Sequence, residues 1–145
     1  MIYNIYTDGS VNKEKGVLGL SYVIVTDDKF VAMNQYQTYG TLSTKAELIA
    51  IGMAAEYLLK NTQLQLEDEV VFTVDSYEAI HFFTTETGNQ IFGSDKDPRI
   101  DLVSNMYSRL SEKVSVRFKK AWAHKGEAIF ANKLADKLAK YALVL

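Results

Sequence analysis

The spacing of apolar residues changes near Gly40, and that change limits what the chain can fold into more than any other feature of its sequence. Before it, three runs carry the β-branched and aromatic residues of strands: residues 2–8, 17–26 (VLGLSYVIVT) and 29–39 (KFVAMNQYQTY). Asp27-Asp28 marks a tight turn between the second and third, so this part predicts an antiparallel meander. After it, residues 44–60 bring Leu48, Ile51, Ala55, Leu58 and Leu59 to one side of a helix. Thr44 is suited to cap that helix, with Glu47 as its capping-box partner. The rest alternates: a strand over 69–74 (EVVFTV), a helix starting after Asp75-Ser76, a loop over 86–98, a helix over 99–112 and a strand over 114–122. A last helix over 127–142 carries Phe130, Leu134, Leu138 and Ala142 on its apolar side. The order βββαβααβα predicts an α/β fold with one mixed sheet and helices packed on its faces. No repeat or linker divides the chain, so residues 1–145 are expected to form a single domain.

At 48% hydrophobic residues, 145 residues suffice for one core, and the absence of cysteine excludes disulfides and thiolate metal sites. No N-terminal segment joins a basic start to a long apolar run, and no apolar run matches the thickness of a bilayer. A protein without signal peptide or membrane span, in the cytoplasm, is the expectation. The net charge of −2 is divided unevenly. Between Glu67 and Asp101, nine acids face only Lys96 and Arg99; between Lys113 and Lys140, eight bases face only Glu127 and Asp136. A basic C-terminal third can follow a phosphate backbone, or it can be a solvated helix face.

Four acids stand at the ends of elements. Asp8 is read as closing the first strand, and Asp75 closes the fourth just before a helix. Were those strands parallel neighbours, the two would lie side by side where open α/β sheets collect ligands. Glu47 falls in the first turn of the helix between the third and fourth strands, and Asp136 lies on the last helix, a turn after Asn132 and a turn before Lys140. Each has an ordinary structural role open to it. Asp8-Gly9 is a common turn dipeptide, Glu47 completes a capping box, Asp75 can cap a helix with Glu78, and Asp136 can pair with Lys133 or Lys140.

Taken together, TDGS (7–10), KAEL (45–48), VDS (74–76) and AHKG (123–126) followed by NKLAD (132–136) resemble the landmarks of type 1 ribonuclease H, in order and over essentially the whole chain. The resemblance implies a ribonuclease H-like fold: a five-stranded mixed sheet, three antiparallel strands and then parallel ones, with helices on both faces. It implies an endonuclease that hydrolyses the RNA strand of RNA–DNA hybrids, leaving 5′-phosphate and 3′-hydroxyl ends. The catalytic acids are then Asp8, Glu47, Asp75 and Asp136, holding two Mg²⁺ ions for which Mn²⁺ can substitute. Asp8 would bridge both ions, Glu47 and Asp75 would complete one site, and Asp136 would serve the nucleophile side. Two such ions activate water and relieve the leaving oxygen, and hard carboxylate oxygens suit them. His124 matches the family's histidine, assisting proton transfer or product departure. Asn132, Ser76 and Ser10 are implied substrate contacts. His81 and Trp122 are read as structural.

Two departures from the family stand out. Paired asparagines before the helix glutamate are replaced by Ser43 and Thr44, whose hydroxyls remain able to contact RNA. The basic, tryptophan-containing protrusion of many members is replaced by TETGNQIFGSDKDPRID, short and acidic on balance. Lys119, Lys120, Lys125, Lys133 and Lys137 are the available replacements, or a partner domain or protein aids substrate binding to a monomer. Two other readings stay open: a non-catalytic or weakly active nucleic-acid-binding or interaction module on the same fold, and a DNA-directed nuclease of the same superfamily.

Overall fold

In a computed structural model that describes residues 1–27, 29–85, 97–121 and 129–145, the first strand does not stop at Asp8. β1 (Ile2–Asn12) runs on through Asp8 and Gly9, and its hairpin with β2 (Val17–Thr26) turns only over residues 13–16. Gly16 takes that turn with φ at +64°, in the left-handed region that favours glycine. The reading of Asp8-Gly9 as the end of the strand is thereby corrected. Asp8 lies opposite Ser21 and Gly9 opposite Leu20, so antiparallel pairing with β2 keeps both extended. Asp27 has the positive φ of a turn residue, while its neighbour Asp28 lies outside the described residues.

β3 (Lys29–Tyr39) completes the meander at the sheet edge. After α1 (Ser43–Asn61), β4 (Glu69–Val74) enters beside β1 in parallel, and β5 (Ser115–Lys120) lies parallel beyond it. Between them run α2 (Tyr77–Thr84) and α3 (Pro98–Lys113), and α4 (Ile129–Ala142) follows. The order β3-β2-β1-β4-β5, antiparallel and then parallel, with four helices among the described residues, is the expected five-stranded mixed sheet. None of those helices is long and apolar enough to cross a membrane.

Alternation along β1 sorts the two faces. Tyr3 and Ile5 join the larger core with Leu48, Ile51 and Leu58 of α1, Phe82 of α2, and Ile100 and Leu110 of α3. Tyr6 points the other way and packs with Val23, Ala131 and Ala135. Helices therefore cover both faces, α1, α2 and α3 on one and α4 on the other.

α4 corrects a second expectation. Phe130 is 77% exposed, and the buried positions are Ala131, Ala135, Ala139 and Ala142, with Leu134 and Leu138 at the flanks. The helix backbone rests directly on β2. Ser21 Oγ donates to the Ala135 carbonyl, and a Cβ on Gly19 would stand 2.1 Å from the Ala139 carbonyl oxygen. No side chain larger than alanine fits under such an approach.

The start of α1 differs as well. Leu42 is its N-cap and makes no side-chain cap bond, Thr44 lies inside the helix, and Glu47 turns inward. The capping-box expectation is corrected because Glu47 has a stronger partner in the sheet, described below. Asp97 caps α3 and also binds Lys45 of α1 at 3.3 Å, while Arg99 reaches Thr38 Oγ1 at 3.1 Å and the Tyr39 carbonyl at 2.7 Å. The Arg99 guanidinium holds the Asp97 carboxyl well below the usual range. This clasp ties α3 to α1 and β3. On α2, His81 is exposed rather than packed, and Trp122 lies outside the described residues.

Gly19→Ala should cost about 2–3 kcal/mol of unfolding free energy in urea titration, because the added methyl meets backbone rather than a movable side chain. A wild-type midpoint would refute the direct seating of α4 on β2.

Candidate active site

β1 outlasts its parallel neighbour. The β1–β4 register runs from Ile2–Glu69 to Tyr6–Thr73, and β4 ends at Val74 while β1 continues. Extending that register by two steps brings Asp8 level with Asp75, so the two acids stand side by side even though Asp8 is mid-strand. The crevice where β4 leaves the sheet is where both acids stand.

The other two acids reach this point from opposite faces. Thr7 and Asp8 are neighbours in sequence and point to opposite sides of the sheet. On the α1 side, Thr7 Oγ1 donates to Glu47 Oε1 at 2.8 Å. On the α4 side, the Asp8 carboxyl shares a hydrogen bond with Asp136. Gly9 is what lets α1 come so near. A Cβ there would lie 2.7 Å from the Ala46 Cβ and 2.9 Å from the Glu47 nitrogen. The glycine after Asp8 serves close approach, not a bend.

The electrostatics record how much negative charge is gathered here. Burial and then the Asp8 charge push Glu47 up to about 8; the Thr7 hydroxyl and the Asp75 backbone N–H only partly offset this. Burial pushes Asp8 up to about 7, with the shared hydrogen bond to Asp136 as the next cause and the Gly9 N–H, at 2.9 Å, opposing. Burial also works against Asp136, but the proton donated by Asp8 and the Lys140 ammonium at 3.1 Å prevail, and its carboxyl lies below the ordinary value. Asp75 is the exposed member. Its Oδ1 accepts from Lys120 Nζ at 3.2 Å, and the same ammonium donates to the Asp75 carbonyl.

Asp8, Glu47, Asp75 and Asp136 thus meet within one electrostatic neighbourhood. Among the described residues, no three acid or imidazole side chains are gathered about one point as they stand. Thr7 restrains Glu47 on one side and Lys120 holds Asp75 on another. The donor set itself, all hard carboxylate oxygens with more charge than it can carry ionised, fits a hard divalent cation.

The remaining sequence-derived residues are scattered around this point. Ser10 lies two residues past Asp8 on the same side of β1, opposite Gly19. Ser43 is the exposed first residue of α1, and Thr44 Oγ1 donates to Glu78 Oε2 of α2 at 2.9 Å. Ser76 caps α2, accepting from the Ala79 nitrogen at 3.2 Å. Asn132 is half-buried on α4, one turn before Asp136. His124 and Lys125 lie outside the described residues. Sequence reasoning missed Thr7 and assigned Lys120 only a general basic role. Thr7 could have been found from strand alternation beside Asp8; Lys120 meets Asp75 only through the β4–β5 register, which no local signal encodes.

A family model described as RNase H matches residues 2–144. Among solved structures, RNase H1 from the halophilic archaeon Halobacterium salinarum NRC-1 is 20% identical, with a TM-score of 0.70 over 99% of this chain and 98% of that one. The prototype foamy virus protease-reverse transcriptase is 19% identical, with a TM-score of 0.72 over 99% of this chain but only 21% of that one. At these identities the two structures speak for the fold. A sequence comparison with curated proteins gave no match.

The raised acids dictate a pH dependence for the metal-free protein. The folded state holds protons on Glu47 and Asp8 that the unfolded chain has released, so stability falls as pH rises, from about 4.5 to about 8 for Glu47 and from about 4 to about 7 for Asp8. Each group contributes at most roughly 1.4 kcal/mol per pH unit within its window. In EDTA, Glu47→Gln should flatten the fall measured by urea unfolding between about pH 5 and 8 and should exceed wild type at the upper end. An unchanged slope would mean that Glu47 is not buried beside Asp8.

Proposed function

The chain belongs to the RNase H family, and we propose that it is an endonuclease that hydrolyses the RNA strand of RNA–DNA hybrids, leaving 5′-phosphate and 3′-hydroxyl ends. Family and fold together support nuclease activity of the ribonuclease H type. What supports the finer reading is the gathering of four acids at the end of β4, with Glu47 buried against Thr7 and burial pushing both Glu47 and Asp8 up. A purely structural cluster, or a surface meant only to bind a polyanion, gains nothing from burying such repulsion.

In this reading, Asp8, Glu47, Asp75 and Asp136 hold two divalent ions, Mg²⁺ with Mn²⁺ as a substitute. When bound, such ions supply a more acidic water and charge relief at the leaving oxygen. The chain's own residues do the rest. Asp8, in the middle of the set, joins the Asp136 side to the Glu47 and Asp75 side. Thr7 orients Glu47, and the Gly9 N–H fixes one oxygen of Asp8. His124 is the proposed proton carrier, and Ser10, Ser43, Thr44, Ser76, Lys125 and Asn132 the proposed contacts to the hybrid. Residues 1–145 act as one domain, monomeric and cytoplasmic. A partner domain or protein supplements its grip, since the segment where relatives carry a basic protrusion is acidic here. The foamy virus protein, in which the matching part is a fifth of a longer chain, offers a parallel for such fusion.

A labelled RNA–DNA hybrid incubated with Mg²⁺ or Mn²⁺ should be cleaved in its RNA strand, while duplex RNA, duplex DNA and single strands are spared. Asp8→Asn should lower the rate by roughly a thousandfold or more, the order expected when several kcal/mol of metal assistance is lost. Intact hybrid under both metals would overturn the proposal. Salt-sensitive binding without cleavage would point to a non-catalytic module, and cleavage of duplex DNA to a DNA-directed nuclease.

A further inference from the structure

Among the described residues, Lys120 is placed unlike Lys140, the other cation paired with one of the four acids. It is the last residue of β5, opposite Val74, and therefore stands beside the residue at which β4 leaves the sheet. Its Nζ lies 3.2 Å from Asp75 Oδ1, donates to the Asp75 carbonyl, and sits 5.3 Å from the centroid of the Tyr77 ring. The lysine side chain is only 19% exposed, whereas the Asp75 side chain is 69% exposed. An ordinary surface pair has two mobile ends and is worth little. Here the cation is held by the carboxylate and carbonyl of Asp75 and lies over the Tyr77 ring at the start of α2, and the carboxylate is the open partner. Lys140 beside Asp136 contrasts with it, being an exposed i,i+4 pair on one helix with both ends in solvent.

We infer that Lys120 is a resident cation that occupies the Asp75 carboxylate in the metal-free protein and competes there with a divalent ion. This deepens the proposed function and rests on its reading of Asp75 as a metal ligand. The need for such a charge is visible in the site. The Asp75 charge acts on both Asp8 and Glu47, and Lys120 is the cation seated against it. One oxygen of Asp75 is committed to the lysine. An ion that takes Asp75 must displace the ammonium or bind against its repulsion, and either route weakens its affinity. Lys120 is thus a positioning residue: it touches Asp75, not the reacting atoms. When the carboxylate is lost, Tyr77 and the Asp75 carbonyl are among the groups that still hold it.

Divalent-ion binding to the free protein tests this directly, with no substrate present. Mn²⁺ binding, followed by electron paramagnetic resonance of the unbound ion, and Mg²⁺ binding, by calorimetry, should tighten about fivefold to tenfold in Lys120→Gln. Lys120→Arg should restore the wild-type affinity. Equal or weaker binding in Lys120→Gln would overturn the inference, since a lysine that merely shapes the loop gives no gain. A second measurement uses the wild-type chain alone. The ¹³Cε resonance of Lys120 should move as Mg²⁺ is added and should be insensitive to Mg²⁺ in Asp75→Asn. A stationary Lys120 resonance in a protein that binds Mg²⁺ refutes displacement even if the glutamine variant does not fold. Hybrid cleavage with unaltered ion affinity in Lys120→Gln rejects the lysine role and leaves the nuclease reading intact. A protein that neither binds divalent ions nor cleaves hybrids rejects both.

Discussion

At Gly9 the backbone of β1 and the first turn of α1 come so close that a Cβ would fall 2.7 Å from the Ala46 Cβ. Everything at the site depends on that approach. It brings the Glu47 carboxyl under the sheet, where Thr7 is its hydrogen-bond donor. The opposite face repeats the device at Gly19, where α4 rests on β2 through a row of alanines and Asp136 is carried up to Asp8. Two helices on two faces are thus pressed onto one pair of strands by missing side chains. Close packing then fixes their positions, because neither helix can retreat without opening a void.

The consequence is electrostatic. Acids that would be harmless on a surface are set within reach of one another and partly removed from water. The fold answers with three different compensations. Glu47 and Asp8 are pushed toward holding their protons, Asp136 accepts a hydrogen bond from Asp8 and pairs with the Lys140 ammonium, and Asp75 pairs with Lys120. Each of these offsets part of the repulsion among the four acids. Such local conflict is what a site that awaits a ligand is expected to show.

Much of the frame was legible in the sequence. The bounds of β2, β3 and β4 follow from runs of β-branched and aromatic residues between turn signals, and α1 and α3 from the helical period, within a residue or two at each end. The four acids were legible as a set through their motifs. Local propensity misled where tertiary contact outweighed it. Asp8-Gly9 carries a turn signal but lies in a strand, because β2 pairs with it on one side and α1 covers its glycine. Thr44 and Glu47 carry the signature of a cap, but the buried Thr7 hydroxyl claims the glutamate. Phe130 fits the apolar stripe of α4, yet only alanine-sized residues fit against a backbone lying on the sheet.

The sequence by itself determined the order of elements and the mixed sheet, because periodicity and turn chemistry are local properties, and its motifs singled out the four acids as candidates. The tertiary structure alone decided that Asp8 sits mid-strand level with Asp75, that Thr7 meets Glu47, that Asp8 shares its proton with Asp136, and that Lys120 answers Asp75. Those contacts join residues 40 to more than 100 positions apart. Strand register and helix seating set them, and these are settled by which backbones can touch, a quantity no single stretch of sequence contains.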